Sequence, residues 1–358
     1  MKTSRPLREA LLVIGFGILI LAGLPRLLSP FGLMQATVCV IMAVFALSQG
    51  FVWGYGGIMS FGQATFLGIG AYTYAVAAIN FGDSTAAIAL AVAVPALLAA
   101  ALGYFMFYGR ISDAYVGIVT LTLTIILFSV FNSSTTSSLQ IGATGLGGFN
   151  GITGVPPINL PGHADAAISP EGFWYLSAAL LIVVYAILKR VVATRFGHVV
   201  QAVRENEIRA TLLGYDARRY KLATFVIGAA IAGLAGCLYT NWGAFISPTV
   251  FSLALSAQAI IYVMVGGLGT LIGPILGAFA IQYLISITGT QQTVDANLVL
   301  GVIFLVFVLL VPQGVIPVLR DGYANWRRRR VAQRSSDAAV ERVATGVAHT
   351  ANSTDAAR

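Results

Sequence analysis

Few side chains in this sequence could carry covalent chemistry, and their positions argue against it. Acid–base or metal chemistry inside a bilayer needs ionisable groups at membrane depth. Glu9, Asp83, Asp113, Asp295 and Asp321 all fall at the ends of apolar stretches or in loops. His163, His198 and His349 are far apart, no His-Glu-x-x-His run exists, and no zinc-like ligand set can be assembled. Cys39 and Cys237 lie in apolar stretches and read as small core hydrophobes. A Gly-x-x-x-x-Gly-Lys-Ser/Thr phosphate loop is absent, so any ATP or Mg that drives this chain must sit on another subunit. No catalytic residue, no metal ligand and no resident cofactor is therefore assigned, and an enzyme is not expected. The polar groups left inside apolar stretches are neutral: Ser60, Gln63, Thr65, Thr120, Thr122, Thr124, Gln258 and Gln282. They could line an uncharged path for a small solute, or they could bridge helices and satisfy backbone groups.

A second set of residues could do mechanical work. Residues 192–220 form the largest internal loop on the side that the basic residues mark as cytoplasmic. Within it, apolar residues at 199, 200, 203, 208, 212 and 213 give an imperfect amphipathic helix over 196–214. Glu205 and Arg209 are spaced as an i,i+4 pair, and Gly214 is placed to end the helix. Such a helix could lie on the membrane surface or dock into a partner.

The elements that must position these residues are membrane spans. Hydrophobic residues make up 58% of the 358 and charged residues only 9%, far below the roughly 25% charged of a soluble domain. About ten apolar segments are expected, near 9–25, 33–52, 60–80, 86–108, 114–131, 173–191, 221–241, 254–268, 271–289 and 296–318. They are too long and too continuously apolar for a β-barrel. Lys and Arg number 21, with none from Ile111 to Leu188 and none from Leu222 to Leu319. Alternate threading from a cytoplasmic N-terminus leaves only Arg26 outside, so 20 of 21 cations obey the positive-inside rule. The expected fold is an all-α polytopic membrane protein with both termini cytoplasmic. The first segment resembles a signal peptide but lacks a clean cleavage site, and reads as a retained helix. The net charge of +8 sits at membrane edges, which suits anionic membrane lipids and not nucleic acid.

Three stretches interrupt the apolar rhythm: 132–172, the loop 192–220, and the tail. The first has no Lys or Arg, faces outside by the threading, and carries a glycine-rich run at 142–151 that predicts turns. The membrane domain is expected over 1–320. A basic tail over 321–358, with Arg327 to Arg330 as a lipid anchor, reads as largely disordered beyond about 335. Gly228, Ala232 and Gly236 share one helix face and Gly273 and Gly277 another, spacing that permits close helix packing within the bundle or against a second membrane chain. Pro274, following Gly266-Gly267-Leu268-Gly269-Thr270, predicts a broken or re-entrant segment.

Several of these motifs carry a resemblance. Glu207-x-x-Ala210-x-x-x-Gly214, then Tyr215-Asp216 and Arg219-Tyr220-Lys221, resembles the coupling segment of ABC-importer permeases. With it go Gly54 to Tyr72 (Gly-Tyr-Gly-Gly-Ile-Met-Ser-Phe-Gly-Gln…), Thr144 to Ile152 and Gly266 to Pro274. Together they resemble the branched-chain amino acid permease family of the LivM type, over roughly 33–318. Trp53 before Gly54-Tyr55 looks as much like the related urea and short-amide permeases, and Gln63 stands where the family's Ser-Phe-Gly-His pattern implies His, so both substrate classes stay open. The resemblance implies a multi-pass subunit of the bacterial inner membrane. Its implied partners are a second permease chain in a hetero-dimer, two cytoplasmic ATPases carrying ATP and Mg, and an extracytoplasmic binding protein that docks near 132–172. It implies ATPase coupling through Val203, Glu207, Ile208, Ala210, Leu212, Leu213 and Gly214. A stand-alone carrier or channel for a small neutral solute is the more distant alternative.

Overall fold

The computed structural model describes residues 28–134, 140–160 and 163–291, with the isolated positions 23, 25, 301 and 302. The expected spans near 9–25 and 296–318, apart from those positions, lie outside the described residues, as do both termini and the tail 321–358. All described residues belong to the compact unit Met1–Gly314; the second unit, Val315–Arg358, is not among them.

The remaining eight apolar segments all form helices. They are α1 (Pro30–Gln49), α2 (Gln63–Phe81), α3 (Ser84–Tyr108), α4 (Asp113–Ser133), α5 (Pro170–Val192), α8 (Ala217–Gly243), α9 (Leu253–Gly266) and α10 (Ile272–Gln291), with the short α6 (Arg195–Glu205) and α7 (Glu207–Leu212) between α5 and α8. Six are long and apolar enough to cross a membrane: α1 with the turn that extends it to Tyr55, then α2, α3, α4, α5 and α8. Leu253–Gly266 and Ile272–Ile287 are shorter apolar helices. They meet at the glycine-rich break that the sequence predicts.

Local chemistry sets the boundaries. Ser29 caps α1 by accepting from Gly32 N at 3.3 Å, with Pro30 at the first turn. Asp83, Ser169, Asp216 and Ser252 cap α3, α5, α8 and α9 in the same way. At its far end α1 widens into a π-helical turn, Gly50–Tyr55, and the chain then runs irregularly to Gly62. That irregular segment folds back into the bundle: Ser60 reaches Gln49, the last residue of α1, and Phe61 reaches Thr120, about 10 Å inside the start of α4 at 1.5 Å per residue.

Helix α8 lies at the centre and packs on α1, α2 and α3, while α10 packs on α1 and α9. The small-residue face of α8 makes this possible. A Cβ at Gly236 would fall 2.9 Å from Ala71 N, one at Gly228 would meet Val52, and Ala232 is fully buried. On α10, a Cβ at Gly277 would lie 3.0 Å from Gly266 N, and Gly273 also abuts the α9 end. These close approaches lie within the chain.

On the face opposite the α6–α7 loop, residues 140–160 and 163–167 form turns and, among the described residues, three two-stranded antiparallel ladders, β1 (Gln140–Ile141) with β2 (Thr144–Gly145), β3 (Ile152–Thr153) with β6 (Phe245–Ile246), and β4 (Asn159–Leu160) with β5 (His163–Ala167). The β3–β6 pair ties this segment to the end of α8. Asn80 on α2 donates to Ile141 O at 3.0 Å and accepts from Ala143 N at 2.8 Å. Asn159 accepts from Ser84 N at 3.0 Å. The segments that the charge pattern sends to one side of a membrane thus meet on one side of the bundle.

Candidate functional site

The loop between α5 and α8 holds two helices where the sequence predicts a single one over 196–214. The break is at Asn206, whose backbone leaves the helical region (φ −158°, ψ 100°) and whose Oδ1 accepts from Arg209 N at 2.8 Å. An Asn side chain competes for backbone N–H groups and favours a cap over a helix interior. Glu205 and Arg209 therefore lie on different helices, and Glu207 instead makes the ion pair. Its Oε2 stands 2.6 Å from Lys221 Nζ, which is also 3.1 Å from Asp113 Oδ1. Lys221 sits in the first turns of α8 and Asp113 opens α4, so one cation joins three elements. Helix α7 ends at Gly214 (φ +91°), a left-handed conformation that β-carbons oppose, where Gly214 N donates to Thr211 O at 2.9 Å.

The two faces of this loop differ sharply. Val199, Val203, Ala210 and Ala217 form a small core with Tyr220 packed against it. Val203 and Ala210 are thus internal supports, not contact residues. Ile208, Leu212 and Leu213 are 75%, 82% and 72% exposed. Three large apolar side chains within six residues, on an otherwise charged surface, form a patch that water disfavours. Beside it runs an open groove of about 980 Å³ lined by Arg110, Asp113, Glu207, Ile208, Leu212 and Lys221. Covering the three side chains would contribute about 1.5–3 kcal/mol each.

The neutral polar residues inside the membrane form a second cluster around the irregular stretch after α1. Backbone at that depth must be satisfied by protein, and the cluster does this. Gln49 Nε2 donates to Ser60 O at 3.0 Å, Phe61 N donates to Thr120 Oγ1 at 3.2 Å, and Gly62 N donates to Ser60 Oγ at 3.2 Å. Gln63 Nε2 donates to Ser48 Oγ at 3.1 Å. The Thr124 hydroxyl donates to Thr120 O, so the 2.8 Å bond between Thr65 and Thr124 has Thr65 as donor. Of the eight path candidates, Ser60, Gln63, Thr65, Thr120 and Thr124 are buried together here. Gln258 and Gln282 lie apart, half-buried, with Tyr262 OH donating to Gln282 Oε1 at 3.1 Å. Thr122 is exposed and bonded to Ile118 O of its own helix.

Two carbonyl oxygens in this cluster, Gln49 Oε1 and Gln63 Oε1, have no hydrogen-bond partner among the described residues, and neither has Ser256 Oγ on α9. Buried acceptors of this kind normally find a donor. Sequence reading reached Gln63 but not Gln49 or Ser48; their signal was a polar pair inside an otherwise apolar span. It also missed the Asp113–Lys221 link, which joins residues 108 apart. Among the described residues, no group of three His, Cys, Asp or Glu could hold a metal ion.

Comparison with known proteins agrees over most of the chain. The family described as branched-chain amino acid transport system / permease component matches residues 12–311. The chain is 30% identical over 312 residues to the Escherichia coli K12 high-affinity branched-chain amino acid transport system permease protein LivM, covering 80% of this chain and 70% of that protein. It is 25% identical over 327 residues to the probable branched-chain amino acid transport permease protein LivM of Methanocaldococcus jannaschii, covering 76% and 90%. A shorter match, 30% over 124 residues, is to the LivH permease protein of Salmonella typhimurium, covering 34% and 40%. No solved structure matches.

Proposed function

The chain belongs to the family of permease components of branched-chain amino acid transport systems, and from that premise we propose that it is one membrane subunit of an ATP-driven uptake system for branched-chain or related amino acids in the bacterial inner membrane. A second permease chain completes the pathway, and two cytoplasmic ATPases bind and hydrolyse ATP with Mg. A binding protein outside delivers the solute to the surface built by 140–160. The observation that carries this reading is the exposed apolar trio Ile208, Leu212 and Leu213, on a loop braced by its own core and pinned to α4 and α8 through Lys221.

The mechanism follows from those attachments. ATPase closure displaces α7; the Glu207–Lys221–Asp113 bridge carries the displacement to the first turns of α8 and α4. Glu207 and Asp113 are largely exposed, and such pairs are each worth about 0–1 kcal/mol. The bridge therefore sets register, while the driving energy comes from docking the ATPase differently in the outward- and inward-open states. In the membrane, the unpartnered oxygens of Gln49 and Gln63 offer acceptors to the N–H groups of a passing solute. No ionisable side chain is needed along that path.

A second reading, urea or a short amide as solute, is favoured by Trp53, and its N–H groups would suit the same acceptors. The test is reconstitution of this chain with its permease partner, ATPases and binding protein in vesicles. ATP-dependent leucine uptake supports the first reading, and ATP-dependent urea uptake supports the second. Flux without the ATPases would instead mark a stand-alone carrier and overturn the proposal. Cysteine labelling of position 208 from the outer side of intact cells would overturn the sidedness on which it rests.

A further inference from the structure

Two interruptions in the membrane helices lie against each other. The first is the π-helical turn Gly50–Tyr55 with the glycines that follow it, and the second is the break between α9 and α10 at 266–271. A Cβ at Gly50 would fall 2.5 Å from Pro274 Cγ, and one at Gly54 would fall 3.2 Å from Gly269 N. At Gly54 the contact is backbone against backbone, and at Gly50 it is backbone against the Pro274 ring.

Arg204, near the end of α6, stands at this junction. Its guanidinium Nη1 donates to Gly54 O. The carbonyls that end a helix lack intrahelical partners and carry the negative end of its dipole, so a cation there is favoured. Arg204 also lies directly over Gly57 (φ +71°), where a Cβ would fall 2.7 Å from its Cγ. On the other side, a Cβ at Gly269 would lie 3.6 Å from Arg204 Nη1. One side chain from the cytoplasmic loop thus bonds to the first interruption and lies beside the second. The Lys221 bridge reaches the ends of the intact helices α4 and α8 and neither interruption.

Building on the proposed transport role, we propose that Arg204 is a positioning residue that carries movement of the α6–α7 loop to the paired helix breaks. When the loop shifts, the bond to Gly54 O either drags the π-helical turn or is lost. Because Gly54 backs onto Gly269, the second break moves with the first. Arg204 does not belong to the exposed apolar patch, so its role is separable from ATPase docking.

The test compares the assembled transporter carrying Arg204→Ala, Arg204→Gln or Arg204→Lys with its parent, measuring solute taken up per ATP hydrolysed and ATPase co-purification. The Ala and Gln variants are expected to retain the ATPases and to lower uptake per ATP by about tenfold, the scale of one lost charge-assisted hydrogen bond. Lys, which keeps a cationic donor, is expected to restore at least half of that loss. Parental uptake per ATP in the Ala and Gln variants overturns the inference. Loss of the ATPases from the variant complexes also overturns it, because Arg204 would then be a docking residue. Failure of the parent complex to couple uptake to ATP at all overturns the transport reading itself, a distinguishable result.

Discussion

Residues 140–160 with 163–167, outer in the proposed orientation, and the loop 194–216, inner in it, are both polar connections between long helices, yet they are held by opposite means. The outer one is stitched to the bundle by neutral hydrogen bonds from Asn80 and Asn159 and by the β3–β6 ladder to the end of α8. The inner one carries a miniature core of its own and is fastened by charges, Lys221 to two carboxylates and Arg204 to a backbone carbonyl. Neutral bonds within a packed frame fix a surface in place. Solvent-screened ionic contacts can be exchanged at small cost. The first arrangement suits a platform and the second a part that moves.

The largest expected effect tests the inner side. Leu212→Asp combined with Leu213→Asp should leave the fold intact, since both are exposed. It should abolish ATPase co-purification and cut uptake at least about 100-fold, as two buried leucines contribute roughly 3–6 kcal/mol. Uptake within a few-fold of the parent would remove the contrast between a docking loop and a platform. Next, Gly214→Pro demands a φ near −65° where the backbone sits at +91° and deletes the N–H that bonds Thr211 O. Uptake should fall by about tenfold or more, with membrane insertion, read by cysteine labelling, unchanged.

The outer side is expected to respond in stability before activity. Asn80→Ala removes the bonds to Ile141 O and Ala143 N and should destabilise the purified protein by about 1–3 kcal/mol, visible as a lowered melting temperature. A variant that melts like the parent would mean the outer segment is not fixed as described. The smallest effect sharpens the electrostatic half of the comparison. Glu207→Gln should change uptake by no more than about threefold at low salt, and parent and variant should converge as salt is raised.

Much of this was legible in the sequence, for identifiable reasons. The eight described apolar segments became helices close to their expected ends because length and composition dictate them in lipid. The break before Pro274 was legible because glycine and proline punctuate helices locally. The expected single helix over 196–214 was wrong at Asn206, although Asn206 followed by Glu207 is itself a helix-start signal. Val203 and Ala210 share the periodicity of contact residues, but periodicity marks an apolar face without saying what covers it, and here the loop covers them itself. Ser60 and Thr120 read as path residues because their hydroxyls are visible in sequence, whereas the folded-back chain they satisfy is not. The β3–β6 ladder and the Asp113–Lys221 link depend on distant partners and leave no local pattern.

Helix α8 has a consequence that reaches across the whole molecule. It begins at Ala217, beside the Lys221 bridge, and ends at Gly243, next to the strand that pairs with β3. Its 27 residues make a rod about 40 Å long. Glycine-to-backbone contacts along its length leave little soft material to absorb strain. Such a rod conveys pressure equally from either end. In the proposed assembly, thermodynamic reciprocity then requires that a guest arriving at the β3–β6 end shift the nucleotide machinery by the same free energy with which that machinery shifts the guest's affinity.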